Sequence, residues 1–286
     1  MSAVTQPRPA ARPGASLSKV PVVTAWFWLV KALTTGMGES TSDFLVHKLV
    51  PEIAVVLGGI GLVIALVLQL RAEQYVAWRY WLAVAMVGIF GTMAADAVHV
   101  ALGVPYIAST LFYGAMLAAV FGSWYASERT LSIHSIYTPR RELFYWAAVL
   151  ATFALGTAAG DLTAVTLGLG YFASGLLFAA AIAVPAIGYW RLSLNAILAF
   201  WSAYVLTRPL GASFADWLAV SPERGGLNLG AGQVSLALAG LIALCVAYLT
   251  VTHADAPQQS AGNERGGLAG ADFPAPTLRP ALEEEG

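Results

Sequence analysis

Asp43, Asp96, Asp161 and Asp216 each lie inside a long apolar stretch of this chain, five residues after a glycine (Gly38, Gly91, Gly156 and Gly211). An Asp at the centre of a membrane helix costs about 2.5–3.5 kcal/mol, so such side chains must turn from lipid toward partners or water. Carboxylates a few ångströms apart cannot all stay ionised without a cation or a shared proton. The pattern therefore points to a cation or proton site. Its plainer reading is that each Asp bonds backbone N–H groups or a basic neighbour and fixes helix packing.

The first two copies carry more. Glu39, Asp43 and His47 recur every four residues, and Asp96 and His99 are three apart, so each set shares one helix face. Carboxylates with imidazole suit Mn²⁺, Fe²⁺ or Zn²⁺ better than Na⁺ or K⁺, which makes a divalent metal a candidate substrate. Alternatively, His47 sits at the membrane interface beside Lys48, and His99 is a hydrogen-bonded residue of the bundle. Lys31 and Arg208 stand twelve and eight residues before their local Asp. Each needs a counter-charge, as a salt bridge to an Asp or Glu39 or in a gating or coupling role. Pro209 removes a helix hydrogen bond beside Arg208 and is expected to kink its helix there.

The elements that position these residues follow from composition. The chain has 286 residues, 58% hydrophobic and 11% charged, against about 25% charged for an ordinary soluble domain. Apolar segments fall at about 22–47, 51–70, 78–102, 105–126, 142–168, 170–190, 195–220 and 230–252. Each is long enough to cross a hydrocarbon core of about 30 Å as a helix. The period-two alternation of barrel strands is missing. The expected fold is all-α and membrane-embedded, with eight transmembrane helices. The Pro/Ala/Arg-rich residues 1–19 and the polar residues 254–286 read as disordered tails.

Arg71, Arg79, Arg129, Arg140, Arg141 and Arg191 collect in the connections after the even-numbered helices, whereas the opposite connections hold only Lys48 and Arg224. The positive-inside rule then puts both termini in the cytoplasm. A net charge of −1 gives no footprint for nucleic acid, and the single Cys245 excludes an intrachain disulfide and a multi-cysteine metal site.

Aligning the odd-numbered segments shows a repeat: FWLVKALTTGMGESTSD, YWLAVAMVGIFGTMAAD, YWAAVLATFALGTAAGD and FWSAYVLTRPLGASFAD. An aromatic and then a Trp (Trp28, Trp81, Trp146, Trp201) stand sixteen and fifteen residues before each Asp. The Trp side chains suit interfacial anchors and the Gly positions close helix approach. The repeats fall at about 20–75, 76–130, 140–192 and 193–253, as four helix hairpins inserted in one direction, so a pseudo-symmetry axis runs along the membrane normal. On these Trp columns and Gly-to-Asp segments the chain resembles, over residues 20–252, a family of uncharacterised bacterial membrane-anchored proteins built from a tandem repeat of unknown function. The resemblance implies a fold and no activity.

Two functions remain open. One is a secondary transporter or exporter of a cation, divalent or proton-coupled, that uses the Asp ring. The other is a non-transporting scaffold, assembly factor or sensor in which the ring is structural. No P-loop, Ser-His-Asp or H-E-x-x-H pattern is present, so no ATP site and no enzyme is expected. His47 and His99 make a poor haem pair, and no cofactor is assigned.

Overall fold

The computed structural model describes residues 18–257. Eight long helices form among them: α1 (Ala25–Lys48), α2 (Pro51–Leu70), α3 (Ala77–Leu102), α4 (Tyr106–Glu128), α5 (Pro139–Asp161), α6 (Tyr171–Leu192), α7 (Ala196–Ala219) and α8 (Ala231–Thr252). Local chemistry sets several of the starts. Thr24 and Thr138 cap α1 and α5 through their hydroxyls, Asn195 Oδ1 accepts from two N–H groups of α7, and Pro51 and Pro139 open α2 and α5.

The odd helices form a closed ring in the order α1, α3, α5, α7, with α7 returning to α1. The even helices lie outside, and each seats on the odd helix of the following repeat: α2 on α3, α4 on α5, α6 on α7, and α8 on α1. Hairpin partners in sequence are thus not the closest partners in space. The outer helices bury one narrow stripe, such as Ala54, Gly58, Leu62, Ala65 and Gln69 of α2. They turn the rest, including Val63, Leu111, Leu244 and Val251, outward. Exposed apolar faces of this extent belong in lipid.

Six helices, α2 to α6 and α8, are long and apolar enough to cross a membrane. The remaining two, α1 and α7, span 24 residues each but carry Lys31, Glu39 and Asp43 or Arg208 and Asp216. Of these, Lys31, Glu39, Arg208 and Asp216 are buried and Asp43 is half-buried, so the ring shields the polarity that lowers the hydropathy of α1 and α7.

Two expectations need correction. Lys19, placed in the first tail, is buried with Nζ 2.8 Å from Glu142 Oε2, because residues 18–24 cross the end of the bundle and pair with Ile136 and Asp255 through the backbone. Asp255, placed in the second tail, is also buried, and Oδ2 accepts from the Tyr75 hydroxyl. Residues 1–17 and 258–286 of these tails lie outside the described residues. Pro209 lies inside α7, and its Cδ packs in the space left by Gly156. The α-helical pattern departs after Asp161, where Leu162–Thr166 form a π-helical turn, a feature frequent at functional sites.

Candidate functional site

Residues four apart on an α-helix share a face and rise by about 6 Å, so each odd helix presents a ladder of positions to the ring axis. Counting back from the motif Asp gives five layers.

The first layer, fifteen and sixteen residues before Asp, is a closed aromatic belt. Phe27 packs on Trp81 with ring centroids 5.8 Å apart, Tyr80 on Trp146 at 5.7 Å, Tyr145 on Trp201 at 6.1 Å and Phe200 on Trp28 at 5.7 Å. Each aromatic residue thus meets the Trp of the next repeat, and the fourth returns to the first. Trp81, Trp146 and Trp201 are buried and Trp28 is half-buried, so three of the four join helices inside the ring and do not anchor them at the interface. Within the belt the Tyr80 and Tyr145 hydroxyls bond at 2.5 Å.

Twelve residues before Asp stand Lys31, Val84, Val149 and Tyr204. Lys31 is 1% exposed, its Nζ has no hydrogen-bond partner, and it lies 4.0 Å from the Tyr204 ring centroid and 4.6 Å from that of Phe153. Two aromatic faces offer this ammonium a cation–π environment in place of the expected carboxylate.

Eight residues before Asp stand Thr35, Gly88, Phe153 and Arg208, and these fit the motif glycines of the preceding repeats. A Cβ on Gly38 would stand 2.8 Å from Gly88 C, one on Gly91 2.9 Å from Phe153 Cβ, one on Gly156 2.6 Å from Arg208 Cβ, and one on Gly211 2.8 Å from Thr35 Cβ. The Gly column is therefore a set of seats by which each odd helix receives the next, closing the ring from the fourth repeat onto the first.

Four residues before Asp stand Glu39, Thr92, Thr157 and Ala212. The first three converge on Nη2 of Arg208: Glu39 Oε2 at 2.5 Å, Thr157 Oγ1 at 2.6 Å, and Thr92 Oγ1. Arg208 is wholly buried, and its Nε and Nη1 have no partner. The expected salt bridge to Glu39 thus forms for Arg208 and not for Lys31.

The motif aspartates make the last layer. Glu39, Asp43 and Asp96 each offer a carboxylate oxygen, and the three atoms lie within 4.8 Å of one another. Oxygen ligands held about 2.3–2.6 Å from one cation can stand that far apart across it. Asp161 and Asp216 occupy the same level outside this trio, Asp161 half-buried and Asp216 buried. The histidines stay apart. His47 is exposed, with Nδ1 2.6 Å from Asp43 O, and His99 places Nδ1 2.6 Å from Val104 O while stacking on Tyr106. Neither histidine belongs to the trio, so the expected mixed carboxylate and imidazole set is not assembled.

Sequence reasoning did not single out Thr92 and Thr157. The signal was there, since both follow the motif Gly where repeat one has Glu39. A cavity of about 870 Å³ lies off the axis between α1, α6 and α7, lined by apolar residues such as Trp28, Pro185 and Phe200.

Residues 26–75, 79–130, 144–194 and 199–255 each match a family described as "Repeat of Unknown Function (DUF347)". No curated protein and no solved structure matches.

Proposed function

We propose that this chain, which belongs to the DUF347 repeat family, is a membrane transporter that carries a small hard cation along the axis of its odd-helix ring. The observation that carries this reading is the convergence of Glu39, Asp43 and Asp96 at one end of a polar axis. Intramembrane carboxylates that face one another mark ion pathways more often than mere packing. With neither histidine in the trio, the donor set is all oxygen, which suits Mg²⁺, Ca²⁺ or Mn²⁺ over Zn²⁺ or Cu²⁺. The distribution of Lys and Arg directs the Asp end outward and both termini to the cytoplasm of a bacterial inner membrane. Movement past Arg208 requires rearrangement of the ring, driven by an ion gradient.

A structural reading has one observation in its favour: the Gly and Trp columns are fully used in helix packing. The two readings separate in purified protein. Wild type should be stabilised against heat by Mn²⁺ or Mg²⁺ and should pass the ion into liposomes loaded with an indicator dye, whereas Asp43→Asn and Asp96→Asn lose both. Saturating ligand at about 100 times Kd stabilises by about 2.7 kcal/mol, well within measurement. Well-folded variants with unchanged stabilisation and flux would leave the scaffold reading standing.

A further inference from the structure

Nη2 of Arg208 has more partners than hydrogens. It carries two N–H bonds, yet three oxygens surround it: Glu39 Oε2, Thr157 Oγ1 and Thr92 Oγ1. The hydroxyls are not free to donate inward. Thr92 Oγ1 donates to Gly88 O at 3.0 Å, with the Glu39 carboxylate farther off at 3.5 Å, and Thr157 Oγ1 donates to Phe153 O at 3.2 Å. Each threonine has spent its one hydrogen on the carbonyl a turn earlier and turns lone pairs toward the axis. Meanwhile Nε and Nη1 of the same guanidinium stay buried without acceptors. The surroundings are built for a spherical cation more than for a planar fork of five donors.

We infer that Glu39, Thr92 and Thr157 form a second cation site, one layer below the Asp trio, for a small monovalent ion of the Na⁺ type, and that Arg208 is a tethered surrogate filling it in this conformation. Glu39 of α1, Thr92 of α3 and Thr157 of α5 bring three oxygens from three helices to one point, the kind of enclosure that oxygen ligands give a hard cation. One carboxylate with two neutral hydroxyls balances a single positive charge, which selects a monovalent ion, and oxygen donors favour an alkali cation over a soft metal. Such an ion enters only as Arg208 withdraws, and the two orphaned donors of its guanidinium, Nε and Nη1, show that this layer is not at its best pairing with Arg208 in place. Glu39 belongs to both sites, so occupancy of the lower one alters the upper. This coupling rests on the reading of the axis as an ion route; the site itself does not.

The test is equilibrium ²²Na⁺ binding and thermal stability of the purified full chain in NaCl against equimolar choline chloride and KCl. Wild type should bind Na⁺ saturably. Arg208→Met should tighten apparent Na⁺ affinity about tenfold and make stability Na⁺-dependent, and Thr92→Val with Thr157→Val, which leaves the Arg208 and Glu39 charges in place, should weaken wild-type binding about tenfold. A folded Arg208→Met protein indifferent to Na⁺, or one that responds equally to choline, overturns the site. If Arg208→Met does not accumulate, the wild type and the threonine double variant decide alone: absent or unaltered Na⁺ binding overturns it. Absence of divalent flux in the wild type, with Na⁺ binding intact, would remove the transport reading and leave this site standing.

Discussion

Gly156 and Arg208 share one space. A Cβ on Gly156 would stand 2.6 Å from Arg208 Cβ and 3.0 Å from Pro209 Cδ, so the glycine of repeat three sets where the guanidinium of repeat four can sit. Gly156→Ala is expected to push α7 outward, part Arg208 from Glu39 and lower stability by about 1–3 kcal/mol through overpacking. Gly38→Ala meets the backbone of Gly88 at 2.8 Å, which cannot yield as a side chain can, and should cost more. Thermal unfolding of the two variants checks the order.

The Arg208 and Glu39 pair is wholly enclosed, so removing either partner strands a charge. Arg208→Met and Glu39→Gln should each cost about 3–5 kcal/mol, and the double variant much less than their sum. An additive double variant would show that the pair is not coupled.

Lys31 has no carboxylate to lose. Its replacement by Met keeps the stem that packs on Tyr204 and Phe153 and removes a buried amine without a hydrogen bond. Lys31→Met is expected to be neutral or stabilising, by up to about 4 kcal/mol. A marked fall in melting temperature would show that the two aromatic rings fully satisfy the ammonium.

Asp161 and Asp216 lie outside the trio of Glu39, Asp43 and Asp96. Asp161→Asn should therefore keep cation-dependent stabilisation within about twofold in apparent affinity, less than the 1.4 kcal/mol that a tenfold change represents. Loss equal to that of Asp43→Asn would mean that all four aspartates act as one site.

Asp255 makes stability depend on pH. Burial holds its carboxyl above the ordinary range, and the Tyr75 hydroxyl bond pulls it partly back. A group whose folded value is raised favours the folded state below the unfolded value of about 3.9, and that contribution is lost as pH rises through the folded value. Melting temperature should carry a falling component above about pH 4, and Asp255→Asn should flatten it while retaining an acceptor for Tyr75. An unchanged pH profile in the variant would exclude Asp255 as its source.

The layers were legible in the sequence because period and register are backbone properties. Trp, Gly and Asp at fixed offsets, four times over, were enough to place eight helices and bring the odd ones to one axis. Which neighbour each column touches could not be read along one helix, since the partner of Gly156 is a residue of another repeat, and so the Trp residues were taken for interfacial anchors. The histidines misled because sharing a helix face with an Asp does not bring a ring to the same point: His47 is exposed and His99 stacks on Tyr106. Thr92 and Thr157 were missed because hydroxyls carry no charge to attract notice, although they stand in the Glu39 column.

The seating of α7 and α8 on α1 ties the fourth repeat to the first. Until α7 and α8 have entered the membrane, the flanks of α1 that they cover remain bare, so the ring closes only once all four repeats are inserted. A cut between α4 and α5 would leave two fragments, each with one finished joint between odd helices and two unfinished edges. Those edges are complementary: either fragment could be completed by the other or by a second copy of itself, and the angle built into each Gly seat would again bring four odd helices around one axis.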